Sequence, residues 1–270
     1  MFKKIFQEFL NSDEVKKFEA ENSVTPKRQR ALAFGAVLMF SNREPLRTFK
    51  MMHANHPAQI ESLRVGFGEW WGIYDGQEAL DVLDYLSKAA GHAIFAGEAY
   101  NRFILPLKGD KRFGVRNLNI TPNQIQDLRG LERSYERSNG DLVTLCERIN
   151  RGLNAYDQVW YDLQRIGKDH NFSSEELLSI GNFAAWDLGR VVYIARTSAA
   201  LGYVEEEQTW PYIEKAADIA GEVYKDWRQY LAAYCLGRAL GFGSYKNIDL
   251  EVRYLLKDPN SPYNDSSFKN

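Results

Sequence analysis

Apolar residues recur along this chain at helical spacing. Phe2, Phe6, Phe9 and Leu10 stand at i, i+4, i+7 and i+8, one stripe of an amphipathic helix. Thr25-Pro26 has the form of an N-cap followed by proline at the first helical position, and opens a helix that holds the uncharged apolar run from Ala31 to Phe40. Asp75-Gly76-Gln77-Glu78 has capping-box spacing ahead of Leu80, Leu83 and Leu86, with Gly91 placed to close that helix. Thr121-Pro122-Asn123-Gln124 restarts the pattern, and Asp141 opens a long helix through Leu145, Ile149, Leu153, Tyr156 and Trp160. Ser173-Ser174-Glu175-Glu176 is a further capping box, leading into a helix from Leu177 to Leu201 that Gly202 ends. Two more helices are expected over 205–220 and 221–241, and a short last one over 248–257.

No run alternates in the manner of a strand, and neither a repeat nor a sustained heptad is present. The predicted fold class is therefore all-α, an irregular multi-helix bundle with no substantial sheet. The helical period fails over 97–120, where Pro106, Gly109 and Gly114 punctuate a long loop insertion of a length that is often functional. After Asp258 the residues Pro259, Asn260, Ser261, Pro262, Asn264 and Ser266 predict a flexible tail over 258–270. The expected organisation is a single helical domain over 1–257, with N-terminal helices in 1–70 and a core in 71–241.

Charge narrows the partners. Lys plus Arg number 34 against 36 Asp plus Glu, a formal net charge of -2, so the basic footprint of nucleic-acid binding is missing. Gln7 and Glu8 interrupt the first apolar run before it reaches signal-peptide length. The longest uncharged apolar stretch is about half the roughly 20 residues of a membrane span. Lys3 and Lys4 give the Phe2–Leu10 stripe too little basic character for strong membrane contact. Cys146 and Cys235 stand far apart in helical segments and read as buried hydrophobes. These features predict a cytoplasmic protein.

The 36 aromatic residues, 15 Tyr, 15 Phe and 6 Trp, stand beside only 4 His and 2 Cys. That inventory suits packing better than metal ligation or nucleophilic catalysis. No phosphate-binding glycine loop, nucleophile elbow or Cys-x-x-Cys appears, so neither a reaction nor a cofactor is indicated. His53 and His56 lack further ligands at matching spacing, so no metal is expected. His92 follows the expected helix end at Gly91 and suits an interaction with exposed helix carbonyls, or acid–base work.

The informative anomaly is a helix that is apolar nearly all round, from Gly181 to Ala195. Its charges are Asp187 and Arg190, neighbours at i, i+3. A buried charge without a partner costs several kcal/mol, so the two must be paired if the helix is central. Trp227, Leu231, Tyr234 and Arg238 share one stripe of a later helix, which puts Arg238 among aromatics. Two readings stand. Trp186, Asp187, Arg190, Trp227, Tyr234 and Arg238 form either a structural ion network or a site for a small anionic ligand, with guanidinium donors for a carboxylate or phosphate.

Several short motifs resemble, in order, an uncharacterised bacterial family, domain of unknown function 1266. They are Trp71-Gly72-Ile73 with Glu78, Leu83, Leu86 and Gly91-His92; then Ala185-Trp186-Asp187 with Arg190, Ala195-Arg196, Gly202-Tyr203 and Glu206; then Tyr224, Trp227, Tyr234 and Gly237-Arg238. The resemblance runs from about Trp71 to Gly241 and implies a mostly helical cytoplasmic protein with no established activity. The expectation that follows is a non-enzymatic interaction or ligand-binding protein, whose partner is another protein or a small anion. The alternative is an enzyme that binds an anionic substrate through Arg190 and Arg238 with Asp187 in its pocket.

Overall fold

The computed structural model describes residues 8–87, 165–173, 176–177, 179–180, 182–242 and 248–269. The 97–120 insertion, His92, Cys146 and the helices expected between 121 and 160 lie outside the described residues, as does most of the Phe2–Leu10 stripe. Among the described residues the fold is all-α, and the only β feature is an isolated bridge between Ser23 and Thr48. The helices are α1 (Asp13–Glu21), α2 (Pro26–Ala33), α3 (Ala36–Ser41), α4 (Pro57–Trp71), α5 (Gly76–Ser87), α6 (Ala185–Ala200), α7 (Glu206–Val223), α8 (Trp227–Phe242), α9 (Asp249–Lys257) and α10 (Pro262–Asp265), with a 3-10 turn at His53–Asn55. None of them is long and apolar enough to cross a membrane.

The chain divides into two compact units. One gathers Met1–Lys88, Asp187–Tyr230 and Ile248–Asn270; the other gathers Ala89–Trp186 and Leu231–Asn247. In the first, α7 packs on α2 and α5, and α9 packs on α3. Leu188, Val191, Val192, Ile194 and Ala195 of α6 are all fully buried there, which accounts for a helix that is apolar on most faces. In the second unit Tyr234, Cys235 and Leu236 are fully buried. Gly237 passes so close to Phe183 and Trp186 that a Cβ would stand 2.7 Å from the Phe183 carbonyl oxygen.

The sequence signals locate the starts of α2, α5, α7 and α9, and several of the differences elsewhere have local causes. Thr25 Oγ1 accepts from the Arg28 N–H, as its N-cap role requires, but the helix breaks at Phe34-Gly35. A Cβ on Gly35 would lie 2.5 Å from Val192 Cγ1, so the close approach of α6 at that break requires a glycine. The carbonyl of Phe34 is satisfied instead by the Tyr230 hydroxyl at 2.7 Å.

Ser173 and Glu176 do form their reciprocal box. The continuous helix expected from Leu177 is not formed, because Asn182 accepts from the Ala184 N–H and α6 starts only at Ala185. Likewise α7 runs through Gly221 to Val223. Asp226 caps Gln229, and the Gln229 side chain accepts from the Lys225 N–H, which delays α8 to Trp227.

The tail expected to be flexible is packed. Trp227 stacks on Tyr263 with centroids 4.2 Å apart and donates from Nε1 to the Ser266 carbonyl. Phe268 meets Trp227 edge-on, and the Phe268 carbonyl accepts twice from the buried Arg30. Aromatic anchors outweigh the polar composition of this segment.

Candidate functional site

The segment between α3 and the 3-10 turn is irregular yet largely buried, from Glu44 through Thr48, Phe49 and Met51. Buried backbone groups outside a helix need partners from elsewhere. Three charged side chains supply them. Glu19 accepts from the N–H groups of Leu46 and Arg47 at 2.8 and 2.9 Å. Glu44, 1% exposed, accepts from the Met52 N–H at 2.7 Å and pairs with His53 Nδ1 at 2.6 Å. Arg196 of α6 donates from Nε to the Phe49 carbonyl, and from Nη2 to the carbonyls of Pro45 and Lys50.

Arg196 is fully buried. Burial pushes its pKa down to about 10, while the charges of Glu44 and Glu19 pull it back up. It therefore keeps its charge at neutral pH. The hydrogen bond between His53 and Glu44 raises the His53 pKa, more than partial burial lowers it.

A cleft of about 620 Å³ has Arg196 in its lining. Phe18, Phe49 and Met51 give it apolar walls; Glu21, Lys50, Glu205 and Glu206 are its charged lining besides Arg196. Lys50 Nζ meets Glu206 at 2.8 Å, and the Trp210 indole N–H donates to the same carboxylate. Among the described residues Arg196 Nη1 has no acceptor. The cleft thus combines an apolar wall, a buried cation with unused donors and carboxylates. That arrangement suits recognition of a small polar molecule. Among the described residues it contains no nucleophile beside a base.

The residues expected to carry the chemistry are distributed differently. Asp187 is buried and pairs with Arg190, whose guanidinium sits 5.8 Å from the Trp71 ring centre. Trp71 in turn lies 5.9 Å from Tyr193, so Trp71, Asp187 and Arg190 are together. Trp227 belongs to the aromatic cluster of Phe34, Tyr263 and Phe268 instead. Trp186, Tyr234 and Arg238 are in the second unit, Tyr234 fully buried and the other two partly so. Among the described residues no group of three or more His, Cys, Asp or Glu could hold a metal ion.

A family model for proteins of unknown function, DUF1266, matches residues 67–268. The chain belongs to the DUF1266 family. No curated protein and no solved structure matches it. The DUF1266 match takes in Arg196, Glu205 and Glu206, whereas Glu19, Glu21, Glu44 and Lys50 precede it. The cleft is therefore built jointly by the DUF1266 region and the segment before it.

Arg196 and Glu44 are the residues that sequence reasoning missed as site candidates. A signal for Arg196 existed. It follows Asp187 by nine residues, which at 100° per residue puts it on the opposite side of α6. A helix with charges on opposite sides and apolar residues between them has to bury at least one charge. Glu44 follows Arg43, whose positive φ of 56° marks a sharp chain reversal that no sequence pattern announces.

Proposed function

We propose that this DUF1266 protein is a non-enzymatic ligand-binding protein of the bacterial cytoplasm, with its ligand seated in the cleft that Arg196 lines. The observation that carries this reading is Arg196, which lines the cleft and whose buried Nη1 group has no acceptor among the described residues. An unsatisfied buried donor costs about 1–3 kcal/mol, and a ligand oxygen removes that cost. The volume of about 620 Å³ falls within the roughly 300–1,000 Å³ typical of small-molecule sites.

In this reading the Asp187–Arg190 pair is architectural. It neutralises a charge that α6 has to bury, and Trp71 covers it. Trp186, Trp227, Tyr234 and Arg238 then serve packing in their own surroundings. Thermal denaturation in the presence of acetate, 4-methylpentanoate or phosphate tests the reading. A ligand at about 100 times its Kd stabilises by about 2.7 kcal/mol, which raises the melting temperature by several degrees. No shift with any of these anions contradicts the proposal.

A further inference from the structure

The charges around the cleft are not those of a simple anion site. The charge of Arg196 is already partly offset by the nearby charges of Glu44 and Glu19, and Lys50 is committed to Glu206. Glu21 and Glu205 remain in the lining. Glu21 has only a loose, solvent-exposed contact with Lys17 at 3.8 Å. A phosphate brought to Arg196 would carry up to two negative charges into the neighbourhood of these carboxylates, and like charges repel. A monocarboxylate brings one, and a positive group on the same molecule converts the repulsion into attraction. Phe18, Phe49 and Met51 ask for an apolar body.

We infer that the cleft takes an apolar zwitterion of the amino-acid type, with its carboxylate toward the Arg196 guanidinium and its ammonium toward Glu21 and Glu205. This rests on the cleft being a ligand site, as proposed above. The carboxylate completes the guanidinium, whose Nε and Nη2 hydrogens are already used on the backbone. The ammonium meets acidic side chains, and the apolar substituent covers the aromatic wall. A free amino acid and a short apolar peptide share this chemistry.

The test is isothermal titration of the full chain with leucine, leucyl-leucine, 4-methylpentanoate and 3-methylbutylamine. The last two keep the apolar body and lose the ammonium or the carboxylate. Leucine or its dipeptide is expected to bind up to about fivefold more tightly than either truncated analogue, since an exposed ion pair adds up to about 1 kcal/mol. The tighter of the two zwitterions identifies the source. In Glu21→Gln/Glu205→Gln, with its melting temperature checked, the advantage over 4-methylpentanoate should disappear. If 4-methylpentanoate binds as tightly as both zwitterions, or the double variant keeps the advantage, the zwitterion assignment falls and the cleft reading survives. If none of the four compounds binds and the anion panel is also silent, the cleft reading falls with it.

Discussion

Replacing Arg196 by Met removes the guanidinium and keeps most of its apolar stem. Three hydrogen bonds of 2.9–3.0 Å to buried carbonyls are lost. Each bond to a charged group contributes about 1.5–3 kcal/mol, so the gross loss is about 4–9 kcal/mol. Burying the guanidinium has its own cost. The lowering of its pKa to about 10 corresponds to about 3 kcal/mol that the substitution recovers. The net destabilisation is therefore about 4 kcal/mol, a large part of the total stability of an ordinary domain. Urea unfolding followed by tryptophan fluorescence is a suitable assay, because Trp210 lies 5.0 Å from Phe49 of the loop that Arg196 holds. With a slope of about 3 kcal/mol/M, the midpoint should fall by about 1 M. A fall below about 0.3 M would refute the argument that Arg196 supports this loop.

Asp187→Asn should lower stability by about 2 kcal/mol, or about 5 °C in melting temperature, because it removes the charge that partners a partly buried Arg190; an unchanged melting curve would count against the architectural role. Phe268→Ala should cost about 3 kcal/mol in urea unfolding, since Phe268 is buried against Phe34 and Trp227; a loss below about 0.5 kcal/mol would mean that the C-terminal segment is loosely held. The raised His53 pKa makes its pairing with Glu44 stabilising below the unfolded value of about 6.5, and this contribution is lost as pH rises through the higher folded value. The stability difference between the wild type and His53→Gln should therefore shrink from about pH 5.5 to about pH 8.5, and a difference that grows over that range would reverse the sign of the argument.

Some helix starts were legible from a side chain that caps its own helix, whereas those capped by Ser12, Asp226 and Ser261 were not. Thr25, Asp75 and Ser173 all accept from the N–H group three residues on. Contacts with a distant partner were not legible. Nothing local at Gly35 reveals that Val192 will pass it, and nothing in the polar composition after Asp258 reveals that Tyr263 and Phe268 dock on Trp227. The pairing of Asp187 with Arg190 followed from their spacing on an apolar helix. The cleft did not, because Arg196 works through the carbonyls of an irregular loop nearly 150 positions earlier. Side chain to backbone pairing over that span leaves no periodicity to read.

The central claim is that a small carboxylate binds over Arg196, and filling the cleft tests it most directly. Ala200 lines the cleft and is only partly buried, so Ala200→Phe adds bulk there without touching the Arg196 hydrogen bonds. Isothermal titration of 4-methylpentanoate should give saturable heat with the wild type and none with Ala200→Phe, at matched melting temperatures. Equal binding by the two proteins would place the ligand elsewhere and contradict the account.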